Sequence, residues 1–571
     1  MLKKKPMIFV IMTLVLAVYV FFAAPNLNPI YPDGAFFWLV VVSAYTLVAS
    51  VTNFKMPELA ADENGKPSVH FDKSKLPKKW ILFGLGGLWV VYFLVQIIFN
   101  PLFFLDSYRN QMAEPTVKQF SAEVQAIDTN QIPIVDEALA RTLADKKLGE
   151  KPALGSQVRI GTPTIQTVDG KLVWVVPLQH SGFFKWIANL SGSAGYIKVS
   201  ATNVKDVEYV DTYKIKIQPD AYFMDCLTQR VRFTQGWFDG ITDYSFELDD
   251  SGKPYWVVST YHNTCGFNLP EADGAILVDA QTGETQKYSL DEVPEWVDRV
   301  QPEDFIRNQI NNKGKYIHGV FNFSNKEKYR ASDGSNIIYN NGNCYYFTGI
   351  TSVGVDESAT GFMMVDMVTK EPILYRMSGA TENAAQTSAQ GKVQDLGYYA
   401  TFPIILNIYN EPTYFMTLKD SANLIKKYAF VNVKDYMIVG VGDTMNEAEA
   451  DYAKAMRDIT NRPDFDTGDQ PNTELEEQTF SGTIGRISFT VSGDSTLYSF
   501  TLNEKPGVIY TANLNLSNTL PLTMTGDQVT IRYTEDEKGA IALTSFENAS
   551  LFLNAPATPP AGEAGSEESA E

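Results

Sequence analysis

Three uncharged apolar runs open this chain, and past about residue 106 the pattern shifts to short alternating stretches separated by turns. The runs are "PMIFVIMTLVLAVYVFFAA" from Pro6, "GAFFWLVVVSAYTLVAS" from Gly34 and "WILFGLGGLWVVYFLVQIIF" from Trp80. About 20 apolar residues cross a bilayer, and about 17 is a workable minimum. The runs predict three transmembrane helices, at about 6–24, 34–52 and 80–99. A cleavable signal peptide is the competing reading of the first, but its apolar stretch exceeds the usual ~7–15 residues. The "GLGG" of the third run marks either close helix packing or glycine tolerated by lipid.

Lysine placement orients these runs. "MLKKK" precedes the first, and Lys55, Lys66, Lys73, Lys75, Lys78 and Lys79 lie between the second and third. "PNLNPIYPDG", between the first two, has neither Lys nor Arg. The positive-inside rule puts the N-terminus and the 53–79 loop in the cytoplasm and everything after Asp106 outside.

Beyond the membrane anchor, one hairpin recurs. "GAILVDAQTGETQKY" (Gly274–Tyr288) is nearly restated as "GFMMVDMVTKEPILY" (Gly361–Tyr375). Each follows an aromatic and β-branched strand, "GKPYWVVSTY" from Gly252 and "GNCYYFTGIT" from Gly342. Looser copies are "GKLVWVVPLQ" with "GYIKVSATN", and "EPTYFMTLKD" with "YAFVNVKDYMIVGVG". Such residues suit a half-buried pleated face. Asp279 ends its strand at a turn whose Gly283 takes positive φ without strain. Ser200 and Asn432 stand in the corresponding places of the first and fourth copies. An acid missing from two copies of four reads as a turn builder rather than a catalytic or metal residue.

Amphipathic segments at Asp136–Gly149, Glu292–Ile310 and Asn446–Asp458 predict helices, the last two following the second and fourth copies. Helices laid on small antiparallel sheets give an α+β fold. A helix with "G-x-x-Y/W-x-V" and then a strand ending "V-D-A-x-T-G-E" resembles the PepSY domain of bacterial extracytoplasmic proteins. Gly252–Tyr288 carries the resemblance best. It implies peptidase-inhibitory or protein-binding activity outside the membrane, and it brings no catalytic residues.

"TNRPDFDTGDQPNTELEEQ" has no apolar period and reads as a linker. Five short strands follow, beginning "TFSGTIGRISFTV" and ending "AIALTSFENASLFL"; their number and spacing resemble an OB-fold barrel. The chain closes on "APATPPAGEAGSEESAE", a tail that buries no core. The expected organisation is a three-helix anchor at 1–105 and α+β regions at 106–290 and 291–458, each with two repeat units. A linker at 459–478, a small all-β barrel at 479–554 and a disordered acidic tail at 555–571 complete it.

The chain of 571 residues carries 47 Lys+Arg against 67 Asp+Glu, a formal charge of −20. That balance, with no basic stripe, argues against nucleic-acid binding. Cys226, Cys265 and Cys344 form no C-x-x-C pair, and the four histidines are scattered, so neither a metal nor a cofactor is indicated. An exterior address permits disulfides, and Cys226–Cys265 is the candidate bridge, with Cys344 a buried thiol; three unpaired thiols are the alternative. "GVGDTM" at Gly440 lacks the third glycine of a dinucleotide fingerprint. The resulting expectation is a non-enzymatic, membrane-anchored protein of the bacterial cell envelope. Its partners are the lipid bilayer and another envelope protein or peptide. A small-ligand sensor and an accessory subunit of a membrane assembly are the alternatives.

Overall fold

A computed structural model describes residues 4–53, 58–61, 67–70, 79–119, 132–168, 170–340, 342–354, 359–409, 411–460, 478–492, 495–533 and 541–551. Residues 1–467 and 468–571 form two separate compact units. The expected linker and acidic tail lie almost wholly outside the described residues.

The apolar runs form the helices Lys4–Ala23, Pro32–Asn53 and Lys79–Ile98. Two stretches, Pro32–Ser50 and Trp80–Ile98, are long and apolar enough to cross a membrane; Met7–Ala23 is a shorter apolar stretch. Only 6% of the first and 0% of the second are buried, so neither is the core helix of a globular domain. Polar contacts join neighbouring helices: Trp89 Nε1 donates to Ser43 Oγ at 3.0 Å, and Thr13 Oγ1 meets the Tyr45 hydroxyl at 2.8 Å. The glycines of "GLGG" do not serve close packing, because a Cβ on Gly84, Gly86 or Gly87 would meet nothing within 4 Å.

Between the second and third helices Glu58–Ala61 pairs with Pro67–His70, and past the third helix the described part of this unit is α+β, built on four small, mainly antiparallel sheets. The first comprises Val158–Ile160, Thr164–Val168, Lys171–His180, Ser193–Ser200 and Val207–Ile215. Gly240–Leu248, Pro254–Cys265, Asn268–Asp279 and Thr285–Ser289 make the second. The third has Tyr329–Ala331, Asn336–Asn340, Asn343–Ser352, Ala359–Asp366 and Pro372–Gly379, with Thr116–Gln119 added in parallel at its edge. The fourth runs from Tyr399 to Gly442.

Each sheet carries a helix that precedes it in sequence: Glu137–Gly149, Leu227–Thr234, Glu303–Lys315 and Glu382–Gly391. The helices expected after the second and fourth hairpins are present as Glu303–Lys315 and Met445–Thr460, the first of them packing on the third sheet rather than the second. The segment read as a helix from Glu292 is non-helical up to Pro302, which occupies the N-cap, and Glu303 and Asp304 fill the first turn. Met445–Thr460 is an additional helix on the opposite face of the fourth sheet.

The same register recurs in all four sheets. Val173 stands opposite Ser200, Tyr255 opposite Asp279, Tyr345 opposite Asp366 and Thr413 opposite Asn432. One position on, Trp174, Trp256, Tyr346 and Tyr414 each face a valine: Val199, Val278, Val365 and Val431. Every one of these aromatic–valine pairs lies on the side of its own helix. The capping side chain then accepts from two turn N–H groups: Thr202 and Asn203, Gln281 and Thr282, Val368 and Thr369, or Lys434 and Asp435.

The residue after the cap ties each turn to the segment that leads into the same unit's helix. The carbonyls of Ala201, Ala280, Met367 and Val433 accept from Val135, Ile217, Gln301 and Ala380 respectively. Indole N–H groups of Trp174 and Trp256, and the Tyr414 hydroxyl, donate to carbonyls in the same lead-in segments, at 2.7–2.9 Å. Each unit thereby closes on itself through backbone hydrogen bonds that depend little on side-chain identity, which accounts for how far the four sequences diverge.

The opening glycine of the motif has a steric cause. A Cβ on Gly195, Gly274 or Gly361 would collide with the carbonyl oxygen of Val210, Tyr288 or Tyr375 on the next strand.

In the second compact unit, Gln478–Ser492, Ser495–Leu502, Lys505–Asn513, Gln528–Tyr533 and Ile541–Asn548 close into a barrel. Counted in sequence, the strand order is 1-2-3-5-4, with the fourth returning to the first and the third parallel to the fifth. Ile484, Phe500, Tyr510, Ile531 and Phe546 fill its interior.

Candidate functional site

Three features of the larger unit bear on function: a joint between the apolar helices and the second sheet, a buried acidic cluster, and a half-open cavity.

The joint is built from short polar side chains at the helix ends. Asn26 and Asn28, which follow the first apolar helix, donate to the carbonyls of Asp239 (3.3 Å) and Phe238 (2.9 Å). Tyr31, just ahead of the second helix, donates to the Tyr261 carbonyl at 2.7 Å. At the end of the third helix, the Phe99 carbonyl accepts from Asn268 Nδ2 at 2.7 Å. Gly266, in the hairpin tip between Cys265 and Asn268, leaves no room for a Cβ against the Phe99 ring and has positive φ (58°). The second sheet therefore holds both the 25–31 connection and the exit of the third helix.

The acidic cluster lies where the first three sheets meet. Glu247 is fully buried and accepts from Ser245 Oγ (2.5 Å) and from the Asp298 backbone N–H (2.9 Å). Asp298 in turn accepts from the Tyr339 hydroxyl (2.9 Å) and from Thr167 N–H (3.2 Å). Burial, reinforced by the Asp298 carboxylate, pushes Glu247 up to about 8; burial likewise raises Asp298 to about 6, against the hydrogen bonds it accepts. Glu247 is held by Ser245 of its own strand and by the Asp298 N–H, and Asp298 by residues of the first and third sheets, so the pair ties the three sheets together.

Beside this cluster is a cavity of about 570 Å³, bordered by the first, third and fourth units. Its walls include Trp174, Ile337 and Phe402 together with Arg141, Arg299 and Glu303. Arg299 pairs with Glu303 at 2.7 Å, and its Nε is buried without a partner among the described residues. Small-molecule sites commonly occupy ~300–1,000 Å³ with apolar walls and a few oriented polar groups. A second, more open cavity of about 500 Å³ surrounds His180, whose ring nitrogens are buried without partners among the described residues. Burial lowers the His180 pKa, against the pull of Asp225.

The expected Cys226–Cys265 bridge is not formed, and all three cysteines are free thiols. Cys226 pairs with Gln218, beside Lys216 and Ile217, which bind the Ala280 carbonyl at one end of the second sheet's long hairpin. Cys265 faces Asn268 at the other end. At about 3.3 Å per residue the hairpin is roughly 30 Å long, whereas a bridge needs Cα atoms within ~7 Å. Cys344 is buried, and burial pushes its thiol pKa upward. Asp279 serves as a turn cap, as its sequence context predicts, and in addition pairs with Lys253. Among the described residues, no three His, Cys, Asp or Glu side chains gather in a way that would hold a metal ion.

No protein-family model matches this sequence, and no curated protein matches it. Among solved structures, a levansucrase mutant from B. megaterium is 8% identical, covering 76% of this chain and 96% of its own, with a TM-score of 0.17. An α-L-arabinofuranosidase from Lactobacillus brevis is 10% identical, covering 67% and 94%, with a TM-score of 0.16. Likenesses at these scores carry no argument about fold or activity.

Proposed function

We propose that this chain is a non-enzymatic protein of the bacterial cell envelope that crosses the cytoplasmic membrane three times. Its α+β units are PepSY-like modules on the extracytoplasmic side, where they bind another envelope protein or peptide. The joint described above is the observation that carries the reading. If the 25–31 connection and the end of the third helix share one side, the intervening 53–79 loop lies on the other. That loop carries the lysines and belongs in the cytoplasm. An apolar helix exposed all round also calls for an apolar solvent, and Phe83 and Ile97 are 71% and 62% exposed.

The PepSY-like reading is supported by the helix-then-sheet order and by the capping turn that recurs in one register. The strand order of the small barrel supports an OB-like module, here with more acids than bases.

Two experiments test the proposal. Protease added to intact protoplasts should remove the region after about residue 106; full protection would overturn the orientation. A photo-crosslinking residue at Asp211, in the exposed edge strand Val207–Ile215, should capture a discrete envelope protein in intact cells. Failure to form any protein adduct from this edge would count against β-edge recognition.

The 570 Å³ cavity favours a second reading, a small-ligand sensor. On that reading a small anionic compound should raise the melting temperature of the chain but not of the Arg141→Ala variant.

A further inference from the structure

Two groups of exposed large apolar side chains in the α+β region adjoin the ends of apolar helices, while others, such as Phe238, Leu396 and Met437, are exposed elsewhere. The first is the short helix Phe183–Ala188 and the turn after it. Phe184 is 82% exposed, and Ile187 and Leu190 are about half exposed. Aromatic contacts lead from this helix to the membrane anchor. Trp186 packs on Phe223 at 5.8 Å, and Phe223 packs on Phe22 at 5.8 Å and Phe21 at 6.4 Å, the closing residues of the first apolar helix. Gln229 strengthens the junction by donating to the Phe21 carbonyl at 2.8 Å.

The second place adjoins the third helix. Leu102 and Phe103, just past its end, are 54% and 66% exposed. The loop after Gly319 presents Phe321 (69%) and Phe323 (84%). Two contacts fix that loop near the helix exit: Tyr316 packs on Tyr108 at 6.2 Å, and a Cβ on Gly319 would lie 3.8 Å from Leu105 Cδ2.

We infer that these two aromatic patches insert into the interfacial layer of the outer leaflet, so that the α+β region rests on the membrane at two points beyond its helices. Scattered exposed apolar residues need no explanation, but contiguous groups of phenylalanine mark an interaction surface. The occupant is lipid because each patch continues the apolar surface of a helix end, at the depth where aromatic side chains concentrate. Composition agrees: "FFKWIA" has no acid, and its Lys185 can extend its ammonium toward the headgroups while its stem stays with the apolar face. Two separated contacts would also restrain the α+β region against tilting about its three helix connections.

The inference rests on the reading that the apolar helices cross a bilayer, and its test separates the two. The full chain, with Cys226→Ser, is reconstituted in phosphatidylethanolamine–phosphatidylglycerol vesicles. One nitroxide label is attached at a time, through Phe184→Cys, Phe323→Cys, Val90→Cys or Asp291→Cys. Collision with oxygen and with a nickel chelate reports depth. Labels at 184 and 323 should favour oxygen several-fold over the label at the exposed position 291, and the label at 90 should read deeper still. If 184 and 323 read as aqueous as 291 while 90 reads deep, patch insertion is overturned and membrane crossing stands. If 90 is also aqueous, the crossing itself fails. A shallow reading at only one patch overturns the two-point arrangement.

Discussion

Lys253 and Asp279 pair across the end of the second sheet's long hairpin, Nζ to Oδ2 at 2.6 Å, with the carboxylate 5% exposed. The other oxygen of Asp279 accepts from the N–H groups of Gln281 and Thr282. Burial works to raise its pKa, but these partners outweigh burial and hold it below the ordinary carboxylate range. Asp279→Ala leaves an ammonium and two turn N–H groups without their acceptor, and should cost about 2–3 kcal/mol in chemical denaturation. Asp279→Asn should cost less, since Asn432 caps the fourth unit's turn with an amide oxygen. Because the folded-state pKa is lowered, the contribution is full above the unfolded value of about 3.9 and lost as pH falls through the folded one.

Glu247 predicts the opposite slope. Burial, with the neighbouring Asp298 carboxylate, raises its folded pKa to about 8, so the folded chain keeps a proton that the unfolded chain releases above about 4.3. More protons bound in the folded state means that stability falls as pH rises between those values and levels off beyond them. At about 1.4 kcal/mol per unit, the loss is a few kcal/mol. Glu247→Gln should flatten the melting temperature above about pH 6, below which Asp298, itself raised to about 6, still contributes a slope of the same sign. A slope unchanged by the substitution would show that Glu247 is not the titrating group.

The hairpin repeat was legible because aromatic and β-branched strands broken by glycine turns carry a period-two signal. The capping role of Asp279 followed from comparing it with Ser200 and Asn432. The helix start at Glu303 was marked by Pro302 and two acids, yet the apolar residues at Val293, Trp296, Val297 and Val300 mimic a helical spacing. In the fold those four line the outer face of the second sheet as an irregular segment. Which sheet a helix joins was not legible, because it is decided by backbone bonds such as those from Val300 and Gln301 to the Met367 carbonyl. The Glu247–Asp298 pair was equally hidden, since no local pattern links two acids so far apart in sequence. Cys226 and Cys265 misled by proximity along the chain, a long hairpin having carried them to opposite ends.

The motif glycines should tolerate no side chain. Gly274→Ala drives a Cβ into the Tyr288 carbonyl oxygen, a backbone atom held in the sheet register, and should lower stability by about 1–3 kcal/mol. Gly361→Ala should do the same through Tyr375. Gly149→Ala, where a Cβ meets open space, is the matched control and should be neutral or slightly stabilising. Equal melting temperatures for all three variants would remove the steric account of the motif.

Lys419 connects the fourth sheet to the first unit. Its side chain is fully buried and its ammonium lies 2.5 Å from Asp136. Asp136 also caps the helix Glu137–Gly149 by accepting from Leu139 N–H at 2.9 Å. The two roles separate by substitution. Asp136→Asn keeps an oxygen able to cap the helix, so that term changes little. It removes the negative charge, however, and leaves the buried ammonium facing only an amide oxygen; with the Asp136 side chain 40% exposed to water, the cost is about 1–3 kcal/mol. Adding Lys419→Met to Asp136→Asn removes the stranded charge and fills its volume, and should recover most of that loss. If the double variant is as unstable as Asp136→Asn alone, the damage lies in the cap, and the ion pair contributes little to holding the two units together.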